Sequence, residues 1–217
     1  MHKIKSISYF IIIIAPLFFS CSGPVKEKNN INAPGSSLSL HHGNEKYVAI
    51  DTKESVVTWK GSMLVGTNSH TGYVYLSKGE LLIENDELMG GAVEVDMKTI
   101  EDDAHGSDNN LIKHLKDPDF FDVQKFPFST IAITGTGSIT AEDKQISGNL
   151  TIKGITHPVT FPAKVEVKDG IVTAGGRLVI DRTDWGVRYK SGKFYDLLAD
   201  QTMSDSIEFN IKIVAKQ

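Results

Sequence analysis

Few side chains in this 217-residue sequence have types and spacings suited to chemistry. Cys21 is the sole thiol, so no intramolecular disulfide can form. It is a nucleophile or an acylation site only as a thiolate. His41 and His42 are adjacent imidazoles that suit a metal, but no third or fourth ligand is nearby, and the pair reads as part of a solvated linker. Asp102, Asp103, His105 and Asp108 form a polar stretch with metal-compatible oxygens and nitrogen. Its spacing matches no recognised metal loop such as the EF-hand, so no metal is expected. His157 precedes Pro158 and reads as structural. Nucleophile elbows, His-Glu-x-x-His pairs, cysteine pairs and phosphate-binding glycine loops are all missing, and no cofactor is implied. The residues therefore do not point to an enzyme. They leave only a catalyst assembled from scattered carboxylates.

Three segments organise the chain. Lys3 and Lys5 precede an apolar run, Tyr9 to Phe19, broken by Pro16. That run is shorter than the roughly 20 residues that cross a bilayer as a helix, so residues 1–20 read as a secretory signal. The following LFFSC resembles a bacterial lipobox, with small Ser20 ahead of Cys21 and bulkier Phe18 and Phe19 than is usual. The resemblance implies cleavage before Cys21 and acylation of its thiol. Ordinary secretion, or a reactive leftover cysteine, is the alternative. Acyl chains contribute about 0.8 kcal/mol per buried methylene, so several would hold the protein on a membrane. Residues 21–46 are rich in Ser, Asn, Gly, Pro and Lys and read as a flexible tether. Residues 47–217 form the folded domain. The net charge is -4, which offers no basic footprint for nucleic acid.

The domain has a period of two. Val159, Phe161, Ala163, Val165 and Val167 alternate with polar neighbours and Pro162, as do Ile207, Phe209, Ile211 and Ile213, Val93 to Met97, Ile146 to Ile152, and Val57 with Trp59. One wet and one apolar face per strand suits antiparallel sheet. Turn signals stand at 77–80 (SKGE), 84–87 (ENDE), 135–138 (GTGS), 141–144 (AEDK) and 168–170 (KDG). The expectation is an all-β protein, an antiparallel barrel of about eight strands, since closure removes exposed edges. A sandwich is the alternative. Residues 100–127 interrupt the pattern. Asp108 is a candidate cap for a short helix with Leu111, Ile112 and Leu115 on one face, and Pro118 marks its end. Such a helix, followed by Phe120, Phe121 and Phe126, needs an apolar surface to rest on. It reads as a plug, lid or side cover of the barrel.

The inward positions are predominantly apolar: Val57, Trp59, Leu150, Ile152, Phe161, Val165, Leu178, Ile180, Ile207, Phe209 and Ile211. They either fill a core or line a space, and an eight-stranded barrel permits both. Arg182 shares parity with Leu178 and Ile180, so it needs a partner or a place at the mouth. A ligand head group and a structural pair with Asp184 or another carboxylate are both open.

HLKDPDFFDVQKFP (114–127) closely resembles a hallmark of the YceI-like family. YVAIDTKESVVTWKG (47–61), VDMKTIEDD (95–103), ISGNLTIKGITHPVTFPAKV (146–165) and RTDWGV (182–187) resemble further family segments in the same order. Trp-Lys-Gly at 59–61 departs from a stretch that commonly contains His, with His70 a little further on. The resemblance implies a lipocalin-like barrel with a short helical insertion. It also implies a long isoprenoid, quinone-like molecule or other lipid as partner. Trp59, Phe120, Phe121, Phe126, Leu150, Ile152, Phe161, Leu178, Ile180, Arg182, Ile207 and Phe209 are the candidate lining. The expected protein is an envelope lipoprotein binding such a molecule. The alternative is a ligand-free structural or interaction module.

Overall fold

A computed structural model describes residues 38–41, 46–140 and 142–216. The expected signal segment 1–20, Cys21 and His42 lie outside the described residues. Strands β1 (Tyr47–Ile50), β2 (Val56–Ser62), β3 (Ser69–Glu84) and β4 (Glu87–Asp102) are followed by helix α1 (Asn110–Lys116). Then come β5 (Phe128–Ser138), β6 (Asp143–Ile152), β7 (Ile155–Lys168), β8 (Ile171–Asp181), a 3-10 turn (Arg182–Trp185) and β9 (Ser206–Lys216).

All pairings between the strands are antiparallel, and the sheet closes where β3 meets β4. Both β1 and β2 lie between β3 and β9, so they are two halves of one stave, and the barrel has eight. The break between them is held by Ser55, whose hydroxyl accepts from Val214 N at 2.9 Å. That bond replaces a ladder bond lost in the break.

Three hairpins turn on residue pairs with positive φ: Asn85–Asp86, Lys153–Gly154 and Asp169–Gly170. This is the type I′ geometry that matches strand twist. Two expected turns are instead strand interior. SKGE lies within the 16 residues of β3, at a register shift between Leu76 and Lys78. GTGS lies within β5, beside a shift between Ile133 and Gly135. Glycine marks a bulge or a close approach as readily as a turn. At Gly79 a β-carbon would sit 2.7 Å from Ile50 Cδ1 and 2.9 Å from the Ala92 carbonyl oxygen.

Helix α1 is capped by Asn109, not Asp108. The Asn109 side chain accepts from Ile112 N at 3.0 Å, while Asp108 pairs with Lys113 at 2.8 Å. The helix ends at Asp117, before Pro118. Strand β4 pairs with β5 only as far as Asp96, and the 103–127 segment covers what β5 leaves open. Ile112, Leu115, Phe120 and Val123 are buried there with Met97 and Ile100 of β4, Val74 and Trp59. A second cluster runs through the rest of the barrel, from Val48 and Leu76 through Phe161 to Ala215.

One part of the expected tether is docked. Leu38 N donates to Glu94 at 2.8 Å, and His41 N and Nδ1 reach Glu80 at 2.8 and 2.6 Å. His41 also stacks on Tyr47. His41 is thus bound to the barrel rather than part of a solvated linker. Two nearly buried carboxylates find partners in these groups.

Candidate functional site

Alternation puts one side-chain set of every stave inside, and these sets do not meet. A cavity of about 240 Å3 remains between them. Trp59, Leu150, Ile152, Phe161, Leu178, Ile180, Ile207 and Phe209 line it from the strands. Phe120 and Phe121 line it from the insertion, and Arg182 from the 3-10 turn. Val57, Val165 and Ile211 face it too. Phe126 does not. Its ring seats on the β6–β7 turn, where a β-carbon at Gly154 would fall 2.7 Å from Phe126 Cε1. The backbone turns at Asp122, φ 50°, and carries Phe126 away from the lumen.

Several lining residues were not anticipated. Ile131 and Ile133 of β5 alternate as the other strands do, and that signal was available. Leu111 and Leu115 lie on the apolar face of α1. Met63 and Met203 come from two loops joined by a β-bridge, which no local pattern reveals.

The lining is almost free of charge. Arg182 and His70 are its only ionisable members among the described residues. Arg182 Nε donates to the Ser204 carbonyl at 2.9 Å and Nη1 to the Val187 carbonyl at 2.8 Å. Nη2 lies 3.1 Å from Asp205 Oδ1 as an ion pair, without the alignment of a hydrogen bond. Burial lowers the Arg182 pKa from its ordinary value, and Asp205 and Asp181 oppose that. The partner is Asp205; Asp184 instead offers its backbone carbonyl to His157 Nε2 at 3.1 Å.

His70 stands at the rim, where its Nδ1 is 3.4 Å from Asp102. Asp102 is buried, with His105 Nδ1 at 3.0 Å. Burial by itself would raise the Asp102 pKa. The hydrogen bonds from His105 and from the Ala104 and His105 amides outweigh burial and leave the pKa lowered. Asp103 instead accepts from Tyr73 at 2.9 Å. Asp102 and His105 thus stay together, while Asp103 turns to Tyr73 and Asp108 to Lys113. Among the described residues no group of three or more His, Cys, Asp or Glu is placed to hold a metal.

The rim beside His70 is apolar outside as well. Leu64 and Val65 of one loop, and Phe194, Tyr195 and Leu198 of the other, are exposed. The loops are joined by the Leu64 N bond to the Thr202 carbonyl at 2.9 Å.

The model of the YceI-like domain matches residues 48–215 of this chain. The chain belongs to the YceI-like family. It is 32% identical over 104 residues to a UPF0312 protein of Pseudomonas putida, an alignment covering 44% of this chain and 52% of that one. It is 30% identical over 102 residues to protein YceI of Salmonella arizonae, with the same coverage. The chain thus spans about half the length of these YceI-like relatives. Among solved structures, BcnA of Burkholderia cenocepacia superposes with a TM-score of 0.59 at 18% identity, covering 77% of this chain and 99% of that one. A polyisoprenoid binding domain from Saccharophagus degradans superposes with a TM-score of 0.56 at 11% identity, covering 79% and 98%. At such identities the YceI-like likeness is one of fold.

Proposed function

We propose that this chain binds a long hydrophobic molecule inside its barrel: a polyisoprenoid, a quinone-like molecule or a fatty-acid derivative. The carrying observation is the cavity itself. Side chains from the staves, α1 and Phe121 enclose an apolar lumen whose one fixed cation among the described residues is already neutralised by Asp205. Each methylene moved from water into such a lumen contributes about 0.8 kcal/mol. The likeness of fold to a polyisoprenoid binding domain from Saccharophagus degradans supports the same chemistry.

We propose further that the protein is an envelope lipoprotein, anchored through acylated Cys21, with the residues between Cys21 and the docked Leu38 as tether. The exposed Leu64, Val65, Phe194, Tyr195 and Leu198 then form a rim by which the cavity meets a lipid surface. Native mass spectrometry of the purified protein tests the binding reading. A discrete long-chain lipid at near-equal stoichiometry supports it. A protein that is empty and also refuses a panel of isoprenoids overturns it in favour of a ligand-free scaffold.

A further inference from the structure

Four buried side-chain polar atoms among the described residues make no hydrogen bond: Trp59 Nε1, His114 Nε2, Arg182 Nη2 and Asp205 Oδ1. The last two are each other's ion partner at 3.1 Å. His114 is not part of the cavity lining. Its ring packs edge-on against Phe120 and Tyr189. Trp59 does line the cavity, and the residue is only 8% exposed. Its indole N–H is a donor shut away from water with nothing to receive it, a situation buried polar groups rarely tolerate.

The position of that indole is built into the sheet. Trp59 pairs with Gly72 across β2 and β3. A β-carbon on residue 72 would sit 2.5 Å from Trp59 Cζ2 and 2.7 Å from Cε2. The indole therefore occupies space that only glycine leaves open. Ser129 and Thr130 at the start of β5 are polar members of the lining, and just beyond Trp59, Ser62, Asn68 and His70 are polar lining residues at the rim. An elongated occupant would have its polar end here.

The charge of that end follows from the neighbours. Arg182 has committed its guanidinium to Ser204, Val187 and Asp205. His70 faces Asp102. Among the described lining residues a phosphate or carboxylate would meet no uncommitted cation, and a buried unpaired charge is strongly disfavoured. A plain hydrocarbon would leave the indole N–H unpaired. We infer that the ligand carries one uncharged hydrogen-bond acceptor, a carbonyl or ether oxygen, and that Trp59 Nε1–H donates to it. Trp59 is then the residue that selects among long apolar chains. This rests on the lipid-binding reading above.

The test uses the delipidated full chain and three isoprenoid probes: geranylgeranylacetone, a neutral ketone; squalene, a hydrocarbon; and geranylgeranyl phosphate, an anion. The wild type should bind the ketone about tenfold more tightly than the phosphate. Trp59→Phe keeps an aromatic ring and removes the donor. It should weaken the ketone about tenfold and squalene by no more than about twofold. Equal weakening of both would make Trp59 a wall residue only and overturn the inference. So would a phosphate affinity equal to the ketone's. Failure of all three probes on the wild type would instead overturn the lipid-binding reading. Should Trp59→Phe not fold, the wild type still decides the matter. In protein labelled with 15N-tryptophan, one indole N–H resonance should move downfield with the ketone and stay in place with squalene. Trp185 also lines the cavity, but its N–H already donates to the Leu150 carbonyl at 3.1 Å, so its resonance should not move downfield with the ketone. An unmoved Trp59 resonance overturns the inference.

Discussion

Arg182 and Asp205 face each other at 3.1 Å where β8 and β9 leave the barrel, with the arginine side chain only 2% exposed. The strand chain is tied at the same place, since Arg182 N donates to the Asp205 carbonyl at 2.8 Å. Removing the carboxylate strands a buried cation. Asp205→Asn should destabilise the fold by about 3 kcal/mol. In an Arg182→Met background the same change should cost less than about 1 kcal/mol, because no buried charge is left to compensate; Lys193, at 4.0 Å from Asp205, is half exposed. Urea unfolding of the two single variants and the double variant measures the coupling.

Phe121 and Phe126 are five residues apart and do different things. Phe121→Ala opens the cavity wall and, on the proposed lipid-binding reading, should reduce the amount of long-chain lipid the protein retains. Phe126→Ala removes a half-buried ring from the Gly154 turn. It should cost about 1–2 kcal/mol of stability and leave lipid retention unchanged. Thermal unfolding and mass spectrometry of the extracted lipid, run on both variants, separate the effects.

Ser55 is 1% exposed and joins the two halves of the broken stave. Its hydroxyl accepts from Val214 N at 2.9 Å and donates to the Val214 carbonyl at 3.3 Å. Ser55→Ala leaves a buried backbone N–H unpaired and should cost about 1–3 kcal/mol. Faster hydrogen exchange should be confined to the Val214 amide and its β1–β9 neighbours.

Glu208 lies opposite Val179 on β8 and receives Arg177 Nη2 at 2.7 Å. The bond from Arg177, then that from Asn210, lowers its pKa from 4.5 to about 2. A carboxylate with a lowered folded value adds stability above its unfolded value. That stability is lost as pH falls through the folded value. The melting-temperature advantage of wild type over Glu208→Gln should therefore be constant above 4.5 and shrink as pH drops towards about 2. Melting curves across that range check the sign. An advantage that grows on acidification contradicts it.

Much of the barrel was legible because an antiparallel stave with one wet face writes its orientation into alternate residues. Strands β6, β7 and β9 carry Ile146 to Ile152, Phe161 to Val167 and Ile207 to Ile213 on their inward faces, as the period of two implies. The end of α1 was legible for a local reason too, since Pro118 restricts the residue before it. Local signals failed where two structures share one signal. Gly79 and Gly135 mark irregular strand, not turns. Asp108 and Asn109 are both good caps, and Lys113 draws Asp108 aside.

The sequence alone determined that inward faces are apolar, that a short helical insertion precedes Pro118, and that Arg182 shares the inward parity. Only the tertiary structure decided that those faces stop short of one another and leave a cavity, because the gap depends on closure of eight staves rather than on any one of them. It also decided that Asp205, 23 residues away, is the partner of Arg182. It placed Phe126 outside and Trp59 inside with its N–H unpaired. Each of these depends on distances between segments remote in the chain, which no periodicity encodes.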